Sequence, residues 1–224
     1  MLRAVLFDFD GLILETEFAD FQSWQEIYRY YGADLALATW LPYIGVGHSS
    51  MKFDVYAHLE AQTGQTFNRD EIRVRRRARY AELIAEQFIL PGVQERIEEA
   101  LRLNLQLAVA SSSSRAWVEG HLTRLGLLAY FPVLACGDEV QHTKPDPEVY
   151  LLALERSGVQ PAEALALEDS PNGVLAAKRA GMRCIAVPNP LTGHFPFEMA
   201  DARLSSLSEL CLQDWLTFQP DKLR

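Results

Sequence analysis

The stretch from Ala4 to Gly11 (AVLFDFDG) constrains the fold of this chain more than any other. Its first four residues are apolar, and the run is too short for a helix, so it predicts a strand buried on both faces. Asp8 and Asp10 follow this strand. Ligands bind at the carboxyl ends of strands in an open α/β sheet, so both aspartates are candidate site residues. Taken alone, the stretch fits equally well an Asp-Gly turn that leaves both acids in solvent.

Composition and charge limit the partners that this chain can have. Its 224 residues, 49% of them hydrophobic, are enough for one large domain or for a domain with a smaller one attached. The formal net charge of −9 argues against nucleic acid or an anionic membrane as the main partner. It does not exclude an anionic small substrate, since a metal ion and a few cations reverse the field inside a cleft.

The cysteines and the N-terminus indicate the cellular compartment. The three cysteines lack metal-ligand spacing, which is typical of reduced thiols in the cytosol. The N-terminus does not resemble a signal sequence, and no apolar run approaches the ~18 residues of a membrane span. We therefore expect a cytoplasmic protein that binds neither nucleic acid nor a membrane, and we expect it to be a monomer.

The residues from Glu15 to Phe88 have a helical pattern. Apolar and aromatic side chains recur there at helical spacing. Three stretches predict helices: residues 18–31, 51–62 and 70–87. This segment follows the first strand directly, so we expect residues 15–88 to form an all-helical cap that lies over Asp8 and Asp10.

Strand and helix patterns alternate after Pro91 and Gly92. Strands are predicted at residues 105–110, 132–135, 164–167 and 184–187. Helices are predicted at residues 93–103, 115–125, 148–157, from Pro171 to Gly181, and 207–216. The alternation predicts a doubly wound, parallel, Rossmann-like α/β sheet built from residues 1–14 and 89–224.

Polar side chains follow the predicted core strands. Ser111 follows the second strand, Lys144 lies in the loop after the third, and Glu168 with Asp169 follows the strand at 164–167. Carboxylates are preferred Mg²⁺ ligands, and a hydroxyl with an ammonium group suits a phosphoryl group. The turn at Ser111 opens a helix, so its backbone N–H groups are candidates for binding phosphate.

Each of these residues also has a structural interpretation. Ser111 and Asp169 are suited to cap helices, and Lys144 to a solvated loop. The arginine-rich run at residues 73–79 is typical of a solvated helix face. Single motifs therefore leave both interpretations open, whereas four motifs in order at strand ends favour a functional site.

These motifs resemble those of the haloacid dehalogenase superfamily of phosphohydrolases, in the branch with a helical cap that includes phosphoglycolate phosphatase-like and β-phosphoglucomutase-like enzymes. The resemblance covers essentially the whole chain. The matching segments are Asp8-Phe9-Asp10-Gly11 with Thr16-Glu17, Ser111, Lys144-Pro145-Asp146-Pro147, and Glu168-Asp169-Ser170.

The resemblance implies a role for each matching residue. Asp8 is expected to be the nucleophile that forms an aspartyl-phosphate, and Asp10 the general acid and base. The catalytic residues implied are Asp8, Asp10, Ser111 and Lys144. The phosphate-binding residues implied are Ser111, Ser112 and Lys144. Mg²⁺ is the implied cofactor, with Asp8, Asp169 and the Asp10 carbonyl as ligands. Glu168 is expected to support these ligands without binding the ion itself.

The cap departs from the pattern of the sugar-phosphate mutases. Those enzymes have a histidine four residues before a tryptophan on the first cap helix, and this chain has Asp20 before Trp24. The nearest match to their cap-loop arginine is His48, and Arg76 falls near a cap lysine. All four are candidate substrate contacts. The departures favour a phosphatase of a small phosphorylated metabolite over a phosphosugar mutase, and a non-catalytic binding protein is the remoter alternative.

Overall fold

A computed structural model of the chain describes residues 1–43 and 53–217. The chain divides into two compact units. The first, here called the core unit, comprises Met1–Leu14 and Ile89–Arg224, and the second, the helical unit, comprises Glu15–Phe88. No helix in the described part of the chain is both long enough and apolar enough to cross a bilayer.

The core unit is built on a parallel sheet, as the sequence predicted. Within the described residues the sheet has six strands: β1 Ala4–Phe7, β2 Gln106–Ala110, β3 Val133–Ala135, β4 Ala164–Glu168, β5 Arg183–Ala186 and β6 Ala202–Arg203. Their order is β3-β2-β1-β4-β5-β6, and every paired strand is parallel to its neighbour. All residues of β1 and β4 are buried, as expected for central strands covered on both faces.

The helices of the two units lie close to the predicted ranges, except for a short helix at residues 37–40, which was not predicted, and the helix predicted at residues 207–216. In chain order they are α1 Glu17–Tyr30, α2 Leu37–Trp40, α3 Val55–Thr63, α4 Arg69–Ala85, α5 Val93–Arg102, α6 Arg115–Arg124, α7 Glu148–Ser157, α8 Pro171–Arg179 and α9 Leu212–Trp215. Pro171 occupies the first turn of α8, where its missing N–H has no partner to lose. The first four helices form the helical unit, and the others belong to the core unit.

The single helix predicted at residues 207–216 is wrong. The structure has a 3₁₀ turn at Leu207–Glu209, followed by the short helix α9. Leu210 between them is extended, with φ −75° and ψ 135°, which interrupts the helical hydrogen bonds. The Glu99 carboxylate on α5 accepts a hydrogen bond from the Leu212 N–H at 2.9 Å and so begins a separate helix there.

Candidate active site

A buried lysine lies at the centre of the candidate site. The Lys144 Nζ donates hydrogen bonds to Asp8 Oδ1 at 2.6 Å, to Glu168 Oε1 at 2.7 Å and to the Ala110 carbonyl at 2.7 Å. These three bonds use all three donors of the ammonium group. Lys144 is only 7% exposed, so it is not the solvated loop lysine that its sequence position alone allowed.

The sheet brings the two carboxylates to this lysine. Asp8 directly follows β1, and its N–H donates to the Leu167 carbonyl on β4 at 2.9 Å. Glu168 is the last residue of β4. The strand order reverses between β1 and β4, and this is the position where open α/β sheets bind ligands.

Burial and neighbouring charges shift the pKa values of Asp8, Lys144 and Tyr150. Burial raises the pKa of Asp8 to about 7, and the neighbouring Lys144 offsets only part of that effect. Burial alone would lower the pKa of Lys144, but Asp8 and Glu168 outweigh it and raise that pKa above its usual range. Burial, together with the Glu168 charge, also raises the pKa of Tyr150, whose hydroxyl donates to Glu168 Oε1 at 2.5 Å.

A third carboxylate completes a cluster of possible metal ligands. Oxygens of Asp8, Glu168 and Asp169 lie within 4.8 Å of one another, and all three residues are buried. Hard carboxylate oxygens at this spacing suit Mg²⁺. The side chain of Asp10 is not part of this group; the Mg²⁺ ligand expected from Asp10 is its backbone carbonyl.

Asn189 is a site residue that the sequence analysis did not identify. Its Nδ2 donates to Asp169 Oδ2 at 2.8 Å. Its Oδ1 accepts hydrogen bonds from the N–H groups of Leu191 and Thr192, at 2.9 and 3.0 Å. The loop after β5 thus fixes the amide that orients Asp169. The sequence signal was weak, since an Asn-Pro pair usually indicates only a turn.

Two glycines leave room for the carboxylates. Gly11 has φ +81°, and a Cβ there would overlap the Asp169 carboxylate and the Asn189 amide. A Cβ on Gly173, in the first turn of α8, would overlap the Glu168 carboxylate.

Glu168 Oε2 is buried without a hydrogen-bond partner among the described residues, although Oε1 has two. This unpaired oxygen adds negative charge to the carboxylate cluster, which a bound cation would offset.

Asp10 is held by a different set of donors. Its Oδ2 accepts from Ser113 Oγ at 2.7 Å and from Ser111 Oγ at 3.3 Å, and its Oδ1 accepts from Trp117 Nε1 at 2.9 Å. The interpretation of Asp8 and Asp10 as solvated turn residues is therefore wrong. Asp8 is 7% exposed, and Asp10 is half-buried and hydrogen-bonded.

The residues predicted to bind phosphate lie at the carboxyl end of β2. Ser111 is fully buried, and its Oγ accepts from the Ser113 N–H at 3.0 Å. The Ser111 N–H itself donates to the Ala135 carbonyl at 3.0 Å, so it pairs with β3. Ser112 is partly buried and follows at the same edge. Ser114, not Ser111, caps α6 by accepting from the Trp117 N–H.

The structure brings together three of the four candidate contacts in the helical unit. Arg76 Nη1 on α4 donates to Asp20 Oδ1 on α1 at 2.7 Å, and both side chains are 11% exposed. The Arg76 guanidinium also lies 5.2 Å from the centre of the Trp24 ring. Arg79 pairs with Glu26 at 2.7 Å. These two arginines therefore join α4 to α1, although the sequence pattern indicated a solvated face. His48 lies outside the described residues.

The Asp8 environment predicts a specific pH dependence of stability. The Asp8 pKa is higher in the folded chain, at about 7, than its ordinary value of 3.8. The stabilisation from a protonated Asp8 is therefore complete below pH 4 and is lost as the pH rises through 7. We expect Asp8→Asn, measured by urea unfolding in chelator at pH 8, to raise the free energy of unfolding by roughly 1–4 kcal/mol.

This gain should shrink as the pH falls from 8 to 4, because the wild-type carboxyl then becomes neutral as well. Glu119→Gln on α6 is the control, since Glu119 is exposed and pairs only distantly with Arg115, at 3.9 Å. A gain that is absent at pH 8, or the same at every pH, contradicts the electrostatic account of Asp8.

Comparison with known proteins identifies the family. Residues 5–187 match the model of the haloacid dehalogenase-like hydrolases. The chain is 44% identical over 210 residues to YhcW of Bacillus subtilis (strain 168), covering 94% of both chains. It is 34% identical over 217 residues to hexitol phosphatase B of Escherichia coli (strain K12), covering 96% of this chain and 97% of that one. The crystal structure of CbbY from Rhodobacter sphaeroides in complex with phosphate matches with a TM-score of 0.76 and 34% identity, covering 94% of this chain and 96% of that one.

The family model and these alignments span most of the chain, and they confirm the resemblance inferred from the four motifs. The chain belongs to the haloacid dehalogenase-like hydrolases.

Proposed function

We propose that this chain is a Mg²⁺-dependent phosphatase that hydrolyses a small phosphorylated carbohydrate through an aspartyl-phosphate on Asp8. The observation that carries the proposal is the buried Lys144 ammonium, 2.6 Å from Asp8 Oδ1. A carboxylate approaches a phosphoryl dianion only where positive charge offsets their repulsion. The name of one relative, a hexitol phosphatase, supports the substrate class.

The carboxylate cluster supports the choice of metal. Asp8 and Asp169, with the Asp10 carbonyl, would hold Mg²⁺, and Glu168 would support the site through its bond to Lys144. When bound, Mg²⁺ supplies positive charge next to the phosphoryl oxygens. Ser111 and Ser112 would bind these oxygens, and Lys144, whose three donors already serve protein acceptors, would balance their charge.

The protein residues carry out two displacements at phosphorus. In the first, the Asp8 oxygen forms a bond to phosphorus while the bond to the leaving oxygen breaks, and Asp10 gives that oxygen its proton. In the second, Asp10 takes a proton from water as the water oxygen attacks phosphorus. The bond to Asp8 then breaks, which releases inorganic phosphate and restores both carboxyl groups.

The helical unit favours hydrolysis over phosphoryl transfer back to the sugar. A mutase must hold the second phosphate of a bisphosphate intermediate while keeping water out. Arg76 is the candidate cation for that task, but its charge is already matched by Asp20 at 2.7 Å. Arg76 should therefore bind a second phosphate group only weakly.

We expect phosphate release from hexose and hexitol phosphates to require Mg²⁺ and to outpace any isomerisation. Phosphorus NMR of hexose 1-phosphate incubated with enzyme and Mg²⁺ should show mainly inorganic phosphate. The matched control is the same incubation with EDTA, which should show unchanged substrate. A dominant hexose 6-phosphate signal would instead identify a mutase. Full turnover in EDTA contradicts the metal assignment, and no turnover of any phosphomonoester favours a binding protein.

Asn189→Ala should weaken Mg²⁺ binding, because Asp169 loses the amide that orients it. Removing a partner of a metal ligand typically lowers affinity by about 10- to 100-fold. The Mg²⁺ concentration needed for half of the rise in melting temperature should increase by that factor. So should the Mg²⁺ concentration needed for half-maximal phosphate release. Thr192→Val is the control, because it removes the hydroxyl that accepts from the Asn189 N–H while keeping the amide. Equal shifts in the two variants would mean that only loop integrity matters.

A further inference from the structure

Trp117 contacts one of the two carboxylates that the proposed chemistry requires. Its indole Nε1 donates to Asp10 Oδ1 at 2.9 Å, although 107 residues separate the two in the chain. The indole N–H is a donor only, so this contact can serve only an acceptor such as a carboxylate oxygen. Trp117 lies near the start of α6, in the core unit, and is half-buried.

The indole ring is fixed by its neighbours. The backbone N–H of Trp117 donates to Ser114 Oγ at 3.4 Å, in the cap of α6. One turn later, the His121 ring meets the indole edge-on, with ring centres 4.2 Å apart. His121 in turn stacks on Phe9, the residue between Asp8 and Asp10, at 6.3 Å. The ring that holds Asp10 therefore packs, through His121, against the loop that carries Asp10.

The two oxygens of the Asp10 carboxylate accept hydrogen bonds from two different elements of the chain. Ser113 Oγ, at 2.7 Å, and Ser111 Oγ bind Oδ2 from the loop after β2, and Trp117 binds Oδ1 from the helix that follows. Contact with both oxygens fixes the rotation of the carboxyl group, which contact with one oxygen does not. Proton transfer requires such a fixed direction, because a general acid must lie within hydrogen-bond reach of the leaving oxygen.

We infer that Trp117 is a positioning residue that orients Asp10 for proton transfer to the leaving oxygen. This inference rests on the proposed function, in which Asp10 is the general acid and base. Trp117 does not touch the phosphoryl group in this account, and it acts through Asp10 alone.

The test compares substrates that differ in their need for a proton. Trp117→Phe keeps an aromatic ring beside His121 and removes the N–H. For an alkyl phosphate such as a hexitol phosphate, we expect kcat/KM to fall by about 10- to 100-fold, the usual effect of losing a hydrogen bond to a charged group. For p-nitrophenyl phosphate, whose leaving group needs little protonation, kcat/KM should fall by less than about threefold.

One further variant and a control keep the test independent of packing. Ser113→Ala removes the short bond to the other oxygen of Asp10 and should give the same selective loss. Trp215→Phe on α9 is the control for replacing a tryptophan in the same unit, and the ratio of its two kcat/KM values should match wild type. Equal losses on both substrates in Trp117→Phe, or no loss, overturn the inference.

Asp10→Asn separates this inference from the function on which it rests. If Asp10→Asn is inactive on the alkyl phosphate while Trp117→Phe shows no selective loss, only the positioning role of Trp117 is wrong. If Asp10→Asn keeps wild-type kcat/KM, the acid–base role of Asp10 is wrong, and the inference about Trp117 is overturned with it.

Discussion

The hydrogen bonds of one buried ammonium group hold the candidate site together. Lys144 reaches Asp8 after β1, Glu168 at the end of β4 and a carbonyl of β2, so a single side chain connects three adjacent strands. A buried charge without partners is very costly, and here each donor has an acceptor within 2.7 Å. Removing Lys144 would leave the buried carboxylates of Asp8 and Glu168 without the cation between them, so the site depends on this one side chain.

The charges in this cluster favour the binding of a cation at the expense of the stability of the fold. Three buried carboxylates lie around one ammonium group, and burial raises the pKa of Asp8 to about 7. Such a surplus of negative charge destabilises the fold unless a cation offsets it. The loop after β5 and the glycines at positions 11 and 173 nevertheless hold the carboxylates close together. A cation bound as proposed above would offset this surplus.

The sequence predicts the sheet and the order of the motifs well, because both follow from short-range patterns. The buried run before Asp8 and the apolar run before Glu168 predicted β1 and β4, and the structure confirms them. Partnerships across the fold were harder to predict. The donors to Asp10 and Asp169, Trp117 and Asn189, lie 107 and 20 residues away in the chain, and no local periodicity pairs them. The pairing of Arg76 with Asp20 was missed for the same reason, since it joins two helices.

The central claim is that Asp8 becomes phosphorylated during turnover. Rapid mixing of the enzyme with Mg²⁺ and a hexitol phosphate, followed by acid quench and proteolysis, allows this to be measured by mass spectrometry. The account predicts a transient phosphoryl group on the peptide that contains Asp8, sensitive to hydroxylamine as acyl phosphates are, and absent from Asp8→Asn. Phosphate release with no phosphoryl group on Asp8 at any quench time, or with one on another residue, would contradict it.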